Sequence, residues 1–361
     1  MTRTPALIVG GGPAGAAAAT LLARARLPHL LVERGRETGD ALCGGFLSWR
    51  TLDRLATLGI DADALNPARV TRARLFAGGR EAGAALPRPA LAVSRHRLDT
   101  LLLAQATAAG AAIERGVAVR EVAGGEARTA DGATLATDTL FLASGKHDVR
   151  GVARPSDARG DDPTIGLRVR LGPSPALARL VGNTIELHLF PGGYAGLVLQ
   201  EDGSANLCLA VHRSRLPDAG GPAALLDRLA RDLPALGERL AWRDASAPID
   251  AVANVPYGWR TRTAEPGLVR LGDQAACIPS LAGEGMGIAL ASGIAAATTY
   301  VDAGAAAMPA WQLAFARRVR RPMAVAGGLR STAESGAAPA LLPLVGPTLL
   351  RLMARLTRVG A

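Results

Sequence analysis

The sequence predicts a mixed α/β fold, in which a parallel-sheet domain is interleaved with an antiparallel-sheet domain and followed by a helical C-terminal segment. Three observations predict it. The chain opens with a short apolar strand, a glycine-rich turn, a helix rich in Ala and Leu, and a second strand. Residues 185–212 alternate between apolar and polar side chains around a Pro-Gly-Gly break, which is typical of antiparallel strands. The segment after Ala303 has helical character and carries no motif.

Length and composition narrow the class of protein. The chain has 361 residues, of which 49% are hydrophobic, so it is long enough for two domains with a substantial core. The formal net charge is +10, but only 3% of residues are aromatic and the arginines are scattered, which disfavours a nucleic-acid partner. Cys43, Cys208 and Cys277 lack the spacing of metal ligands, so we expect no metal site. Isolated cysteines and an N-terminus without signal-peptide character predict a cytoplasmic protein.

The turn "GGGPAG" after the first predicted strand fits the spacing G-x-G-x-x-G. In such a turn the first glycine makes the bend, the second lets the backbone approach a pyrophosphate, and the third lets helix and strand pack closely. The phosphates then face the N-terminus of the following helix. The cofactor-binding residues predicted here are Gly10, Gly12, Pro13, Ala14 and Gly15.

A second predicted strand, residues 29–32, ends at Glu33, about twenty residues beyond the glycine motif. An acid at this place can accept hydrogen bonds from a ribose hydroxyl. The order of strand, glycines, helix, second strand and acid predicts a Rossmann-like dinucleotide-binding domain, with Glu33 and Arg34 among its cofactor-binding residues. The alternative is an ordinary βαβ unit with a glycine-rich turn, and the motif by itself does not separate FAD from NAD.

The segment "RLGDQAACIPSLAGEGMGIALASG" is predicted to form a strand, a Gly-Asp turn, a loop and a helix that opens on glycine. It resembles the second FAD fingerprint of the superfamily of flavoprotein hydroxylases and geranylgeranyl reductases. The resemblance implies that the Gly-Asp turn binds the ribityl chain or pyrophosphate of FAD. It also implies that the helix N-terminus lies at the N1/O2 edge of the flavin, where it favours the negative charge of the reduced ring. The residues implied are Gly272, Asp273, Gly285, Met286 and Gly287.

Two further segments resemble the same superfamily. "VSRHRLDTLLL" is similar to its R-x-x-F/L-D helix, which implies that Arg95 contacts the FAD phosphates and that the strand near Val119 contacts adenine. The alternative is that Arg95 and Asp99 form an exposed pair one helical turn apart. "TLFLASGKHDVRG" lies where the superfamily has a strand ending in A-D/T-G and a trailing Arg. The match implies cofactor contacts from Ala143 and Gly145, and the trailing arginine aligns with Arg150.

Lys146 is the only lysine among the 41 basic residues. The predicted loop places it at the junction of the two domains, where an ammonium group could bind an anionic part of a cofactor or substrate. Codon bias toward arginine is the alternative explanation. Ser144 replaces the usual Asp or Thr of the superfamily, which puts direct use of NADPH in doubt.

"ALCGGFLS" resembles the Cys-Gly-Gly loop of geranylgeranyl reductases, which implies that Cys43 lies near the flavin; a small buried cysteine is the alternative. "ELHLFP" stands where those reductases carry Y-x-W-x-F-P, and Glu186 and His188 replace the two aromatics. Two residues apart on a strand, they share one face. We predict that this face lines the substrate pocket, with solvent as the alternative. The substrate-binding residues predicted are Glu186, His188, Phe190, Pro191 and Lys146.

The resemblance implies a Rossmann-like FAD-binding domain with an interleaved antiparallel-sheet substrate domain and a helical C-terminus. The predicted boundaries are 1–75, 93–152 and 263–300 for the FAD domain, 76–92 and 153–262 for the substrate domain, and 301–361 for the C-terminal segment. In its last helix, arginines at 351, 355 and 358 share one face. This pattern is typical of an interfacial membrane helix or, more often, of a helix that covers the core, so peripheral contact with the inner face of the membrane stays an alternative.

The activity implied is that of an FAD-dependent oxidoreductase acting on a hydrophobic isoprenoid, polyketide or aromatic molecule by reducing or dehydrogenating a carbon–carbon bond. Hydroxylation of an aromatic or polyketide substrate is the alternative, and a non-enzymatic flavin electron carrier is a second one. The cofactor implied is FAD, and NAD(P)H is a candidate electron donor. The sequence assigns no catalytic residue and leaves the substrate and the oligomeric state open.

Overall fold

A computed structural model describes residues 2–360 of the chain. Strands and helices are numbered in chain order. The strands are β1 (Thr2–Val9), β2 (His29–Glu33), β3 (Phe46–Leu47), β4 (Val70–Ala77), β5 (Arg80–Ala92), β6 (Ala112–Arg115), β7 (Val119–Ala123), β8 (Glu126–Thr129), β9 (Thr134–Leu142), β10 (Thr164–Leu171), β11 (Thr184–Phe190), β12 (Gly193–Leu199), β13 (Ala205–His212), β14 (Asp250–Val255) and β15 (Leu268–Arg270). The helices are α1 (Pro13–Arg24), α2 (Trp49–Thr57), α3 (Ala62–Leu65), α4 (Arg95–Ala108), α5 (Pro175–Val181), α6 (Arg215–Ala219), α7 (Pro222–Asp232), α8 (Pro234–Leu240), α9 (Gly285–Ala303), α10 (Met308–Arg318), α11 (Arg320–Glu334), α12 (Ala338–Leu341) and α13 (Pro347–Leu356).

The first sheet has the strand order β6-β2-β1-β9-β8-β7, and β15 also pairs with β9. Strands β6, β2, β1, β9 and β15 are parallel, while β8 and β7 extend the sheet as an antiparallel hairpin. Parallel strands are covered on both faces by crossover segments, which explains their near-continuous apolar sequences. The predicted strands at the N-terminus and the Rossmann-like arrangement are therefore confirmed.

Helices α1 and α9 pack against each other on this sheet at unusually short range. A Cβ atom added to Gly293 would lie 2.2 Å from the carbonyl oxygen of Ala14, so only glycine allows this approach. Nearly the whole of α1 is buried, which explains its run of alanines. By length and composition alone, one helix among the described residues, α9, could span a bilayer, but half of it is buried inside the protein.

The second sheet has the order β14-β10-β13-β12-β11-β4-β5-β3. Its neighbours are antiparallel except for β11 and β4, which are parallel. The antiparallel strands predicted within residues 185–212 are confirmed as β11, β12 and β13. The predicted boundary at residue 76 is misplaced, since the second sheet already includes β3 and all of β4 from Val70.

The C-terminal segment is helical, as predicted, and closes one side of the molecule. Helix α10 packs on α9 and β15, α11 packs on β11 and β12, and α13 lies against β5. The segment thus bridges the two sheets and covers the space between them. This position makes it a wall of the cavity described below.

Candidate functional site

The glycine turn between β1 and α1 has the geometry that its sequence predicts. Gly10 has φ of +108°, a conformation that favours glycine. A Cβ atom on Gly15 would lie 1.9 Å from the carbonyl oxygen of Gly10, so strand and helix could not pack as they do. Helix α1 begins after Gly12 with no side-chain cap. Its first backbone N–H groups are thus free to bind an anion.

Glu33 lies at the end of β2 and faces this turn. Its carboxylate accepts hydrogen bonds from the backbone N–H groups of Gly11, at 2.7 Å, and of Gly35, at 2.9 Å. The acid is therefore held beside the glycine turn, where the sequence places a ribose hydroxyl. Arg34 is exposed, and its Nη2 lies 2.9 Å from Nε2 of His147 across the carboxyl ends of the strands.

Arg95 reaches the same turn from the start of α4. Its guanidinium binds both oxygens of Asp99, at 2.9 and 2.6 Å. A Cβ atom on Gly12 would lie 3.3 Å from Nη2 of Arg95, so the positive charge stands directly over the turn. The side chains of Arg95 and Asp99 are only 17% and 10% exposed, and the alternative of an exposed surface pair is wrong.

The Gly-Asp turn after β15 lies next to Lys146. Gly272 has φ of +56°, and its N–H donates to Oγ of Ser292 on α9. Nζ of Lys146 lies 3.1 Å from Oδ2 of Asp273, and this carboxylate raises the pKa of Lys146 above its ordinary value. Lys146 and Asp273 both line the cavity described below. The structure thus brings together two segments that are far apart in the sequence.

Arg154, which sequence reasoning missed, holds the Lys146 loop in place. Its guanidinium donates to the carbonyl oxygens of Lys146, at 2.6 Å, of Gly145, at 3.3 Å, and of Asp273, at 3.1 Å. It also pairs with Asp148 at 2.8 Å and is almost completely buried. Arg150, which the sequence aligns with the superfamily's trailing arginine, is exposed, and its backbone bridges to β7.

Glu284, also missed, is the most heavily bonded residue of the loop before α9. It is fully buried, and its carboxylate accepts hydrogen bonds from Arg358 at 2.7 Å, Ser48 at 3.1 Å and the N–H of Val359 at 3.2 Å. A Cβ atom on Gly287 would lie 2.6 Å from this carboxyl group. The C-terminal tail therefore fixes the loop that opens α9, whose first turn has no side-chain cap.

A cavity of about 300 Å³ runs from these residues toward the C-terminal helices. Cys43, Lys146, Asp273 and Met286 line one end of it. Cys43 is partly exposed to the cavity, and its carbonyl oxygen accepts a hydrogen bond from Nδ2 of Asn206 at 2.9 Å. The walls toward the other end are mainly aliphatic. They include Leu75, Leu86, Ile185, Leu187, Leu189, Leu342, Val345, Leu350 and Met353.

Three hydroxyl groups interrupt this apolar lining. Tyr194 and Ser280 are joined by a 2.6 Å hydrogen bond, and Tyr194 also accepts from the N–H of Leu281. Tyr257 lines the same cavity. Burial raises the pKa of Tyr194 to about 12 and that of Tyr257 well above its ordinary value. Both phenols therefore stay protonated and keep an O–H group at neutral pH.

The prediction that Glu186 and His188 line the pocket is wrong, and so is the alternative that they face solvent. The residues of β11 that face the cavity are Ile185, Leu187 and Leu189. Glu186 and His188 lie on the opposite face, are essentially fully buried and are covered by α8.

On that rear face Glu186 binds Arg74 and, at 2.9 and 3.0 Å, Arg239. His188 stacks on Phe76 with ring centroids 4.6 Å apart. Although burial opposes the charged form, hydrogen bonds from His188 and Arg239 lower the pKa of Glu186 to about 2. This group is thus a structural ion cluster, not part of the pocket.

Phe190 and Pro191 were also predicted to bind substrate, and the structure places both away from the cavity. Phe190 packs into the core of the second domain on the rear face of β11, and Pro191 is exposed in the turn that follows. Of the predicted substrate-binding residues, Lys146 alone lines the cavity. Val119 begins β7, and its predicted contact with adenine stays a prediction, as do the contacts of Ala143 and Gly145.

The residues present fit FAD. Two helices, α1 and α9, begin without side-chain caps, and one starts beside the glycine turn and the other beside the cavity. Arg95 lies over the turn, Glu33 lies beside it, and Gly272, next to Asp273, lies between α1 and α9. Bound there, FAD would present its flavin to the apolar cavity and supply two-electron redox chemistry.

Comparison with known proteins agrees with this geometry. A family model for the FAD binding domain matches residues 3–147. A menaquinone reductase of Mycolicibacterium smegmatis is 26% identical over 97% of this chain and 88% of that protein. Digeranylgeranylglycerophospholipid reductase 2 of Methanopyrus kandleri is 28% identical over 82% of this chain and 76% of that protein.

The fold is also found among solved structures. A flavoprotein/dehydrogenase from Cytophaga hutchinsonii superposes with a TM-score of 0.79, at 16% identity, over 98% of this chain and 92% of that one. Its similarity extends over both domains, so the interleaved architecture is shared as a whole. Residues 3–147 therefore form an FAD-binding domain, and the chain is an FAD-dependent oxidoreductase that resembles, over most of its length, reductases that act with this cofactor domain.

Proposed function

We propose that the protein reduces a carbon–carbon double bond of a long, apolar isoprenoid molecule. The observation that carries this proposal is the cavity, whose aliphatic walls extend from the residues predicted to hold the flavin to the C-terminal helices. Such a lining favours an extended hydrocarbon chain, because burial of apolar surface is the main source of affinity there. Two relatives carry the names of a menaquinone reductase and of a reductase of a geranylgeranyl lipid, which supports the same substrate class.

The hydroxyl groups of Tyr194, Ser280 and Tyr257 supply the polar function that such a reaction needs. Reduction adds a hydride to one carbon and a proton to the other, and FAD bound here would supply the hydride in its reduced form. A phenol that stays protonated can donate a hydrogen bond to a substrate oxygen or pass a proton to carbon. We propose that this hydroxyl group cluster orients the substrate in the cavity.

Hydroxylation of an aromatic or polyketide substrate is the second candidate. It draws support from the monooxygenase branch of the superfamily, and it requires oxygen where the reduction does not. The electron donor that we propose for either reaction is NAD(P)H. The two reactions therefore differ in a way that one experiment can separate.

The test is anaerobic reoxidation of the reduced holoenzyme. Protein with bound FAD is reduced with a stoichiometric amount of dithionite, and a polyprenyl alcohol or its fully saturated analogue is added without oxygen. We expect the unsaturated compound alone to restore the oxidised flavin spectrum, with a product two hydrogens heavier by mass spectrometry. No anaerobic reoxidation, together with a hydroxylated product and a flavin hydroperoxide spectrum after oxygen is admitted, would overturn the proposal.

Two substitutions on β11, one in the cavity and one on the rear face, test whether the cavity holds the substrate. Leu187→Trp places a bulky ring in the cavity, while His188→Gln changes the neighbouring residue on the rear face. We expect Leu187→Trp to slow reoxidation at least tenfold with unchanged FAD content, and His188→Gln to leave it unchanged. Equal rates in the two variants would show that the cavity does not hold the substrate.

A further inference from the structure

Exposed apolar side chains are concentrated at one place on the surface. Among the described residues, seven large hydrophobic side chains are exposed, and four of them lie within twelve residues of the C-terminal segment. Leu344 is the most exposed at 73%, followed by Leu352 at 49%. Leu341 and Leu349 complete the patch at 40% and 39%. Single exposed leucines are ordinary, but four in one short segment indicate a surface that binds something apolar.

The same segment is the outer wall of the cavity. Leu342, Val345, Leu350 and Met353 line the cavity, as does the exposed Leu341, and they alternate along the chain with the other exposed leucines. Helix α13 has no buried residue and packs mainly against β5. The wall is therefore one helix thick, with apolar side chains on both its inner and its outer surface.

The charge around the patch has one sign. Residues 304–361 contain eight arginines and a single acid, Glu334. Glu334 binds Arg330 and His212, so its charge is already compensated. Arg351 and Arg355 are exposed on α13; Arg351 also borders the cavity and donates a hydrogen bond to the carbonyl oxygen of Ala85, and among the described residues no carboxylate lies within ion-pair distance of either arginine. An apolar patch flanked by such arginines is complementary to an anionic lipid surface.

We propose that the C-terminal surface, defined by the four exposed leucines with Arg351 and Arg355, docks on an anionic phospholipid bilayer. The leucines enter the headgroup region and the arginines bind lipid phosphates. The cavity wall then faces the bilayer, and a hydrocarbon substrate enters between α12, α13 and β5 without crossing water. The docking stands on surface chemistry and does not depend on which reaction the flavin performs.

The test is co-sedimentation of the FAD-loaded protein with vesicles, without any substrate. One set contains phosphatidylcholine alone, and the other an equimolar mixture with phosphatidylglycerol. We expect binding to the anionic vesicles that weakens with added salt, and little binding to the neutral ones. Arg351→Gln combined with Arg355→Gln should weaken binding about tenfold or more, since each exposed arginine contributes several-fold.

The apolar part is tested with a matched pair of double variants. Leu344→Glu with Leu352→Glu changes the patch at residues outside the cavity lining, and Val301→Glu with Leu313→Glu changes two exposed residues elsewhere. We expect the first pair to abolish vesicle binding and the second to leave it intact. Both should keep their FAD and their melting temperature, which separates lost docking from unfolding.

Two results would overturn the proposal. The first is unchanged vesicle binding by the Leu344→Glu, Leu352→Glu variant. The second is a stable dimer of the wild-type protein in analytical ultracentrifugation that this variant converts to a monomer, with no vesicle binding in either. In that case a second copy of the chain, not a bilayer, covers the C-terminal surface.

Discussion

Glu284 and Glu186 are both fully buried carboxylates that bind arginines, yet only Glu284 lies beside the cavity. Glu284 lies in the loop that opens α9 beside the cavity and is held by Arg358 from the C-terminal tail. Glu186 lies on the rear face of β11 and is held by Arg239 from α8. Burial and an arginine partner therefore do not by themselves mark a functional site. What distinguishes the two is whether the neighbouring residues face the cavity.

The two ion pairs also join different pieces of the chain. The pair at Glu284 joins the last residues of the protein to the flavin loop, across 74 positions of sequence. The cluster at Glu186 joins β4, β11 and α8 within the second domain. Breaking either pair leaves a buried charge without its partner, which is costly in any protein. Only the first pair, however, lies in the segment that we expect to hold the flavin.

The largest effects are expected from Arg358→Met and Arg239→Met. Each should lower the free energy of unfolding of the apoprotein by about 3–5 kcal/mol, because a buried carboxylate loses an arginine partner. Arg358→Met should in addition weaken FAD binding at least tenfold, since it frees the loop at the start of α9. Urea denaturation of the apoprotein and titration with FAD measure the two quantities separately.

Arg239→Met is the matched control for that pair. It removes the same kind of ion pair at a site with no route to the cofactor loop. If both variants lose FAD affinity equally, the loss reflects general destabilisation and the coupling of the C-terminal tail to the flavin site is refuted.

Gly12→Val is expected to lower FAD affinity strongly while leaving the stability of the apoprotein nearly unchanged. The φ of Gly12 is −70°, which valine tolerates, but its Cβ would lie 3.3 Å from the guanidinium of Arg95 and its methyl groups would fill the phosphate position. FAD affinity should fall by about a hundredfold or more, comparable with the loss of about 3 kcal/mol of binding energy. The apoprotein should unfold at nearly the wild-type urea concentration. A variant that still purifies with full FAD content would contradict the assignment of this turn.

The sequence predicts the residues around the cofactor far better than the residues that line the cavity. The glycine turn, Glu33 and the Gly-Asp turn are local patterns, in which spacing along the chain dictates geometry. The rear-face residues of β11 were misplaced because alternation shows which side chains share a face, not which face borders a cavity. Both faces of β11 are covered, so the polarity of its side chains does not indicate which face borders the cavity.

Arg154 and Arg358 were missed for another reason. Each acts on residues that are distant in sequence or belong to a loop with no motif of its own, and the chain has forty arginines from which to choose. Glu284 did stand inside a recognised fingerprint, as the acid in "GEG", and its burial needed a cation from elsewhere. That need could have directed attention to the arginines of the C-terminal tail.

The rear-face cluster should also be visible in the pH dependence of stability. Burial lowers the pKa of His188 below its ordinary value of 6.5, so the folded protein keeps it neutral while the unfolded chain binds a proton. Its contribution to stability is present above pH 6.5 and is lost as the pH falls. The lowered pKa of Glu186 acts in the same direction at lower pH, from 4.5 toward about 2.

His188→Gln should therefore flatten the loss of stability just below pH 6.5 without removing it, because burial also lowers the pKa of His29. Urea denaturation at a series of pH values below neutrality measures the slope. FAD affinity should show no matching change, in contrast to substitutions around Glu284. Identical slopes in the wild-type protein and the variant would mean that His188 is not held neutral by its surroundings.

The smallest effect is expected at Lys146, the single lysine of the chain. Its Nζ lies 3.1 Å from Asp273 at the cavity, and its side chain is 29% exposed, so it is reachable by an anionic ligand that enters there. A partly exposed charge of this kind contributes about 1 kcal/mol, or roughly fivefold in affinity, and less at high salt.

Lys146→Met should weaken the binding of NADPH, used as the anionic probe, by that factor while FAD content and folding change little. Lys146→Arg should recover only part of the loss, because a flat guanidinium needs more room than a compact ammonium group. Rates of flavin reduction at low and high salt for the three proteins decide the matter, and indistinguishable constants would leave codon bias as the explanation of this lysine.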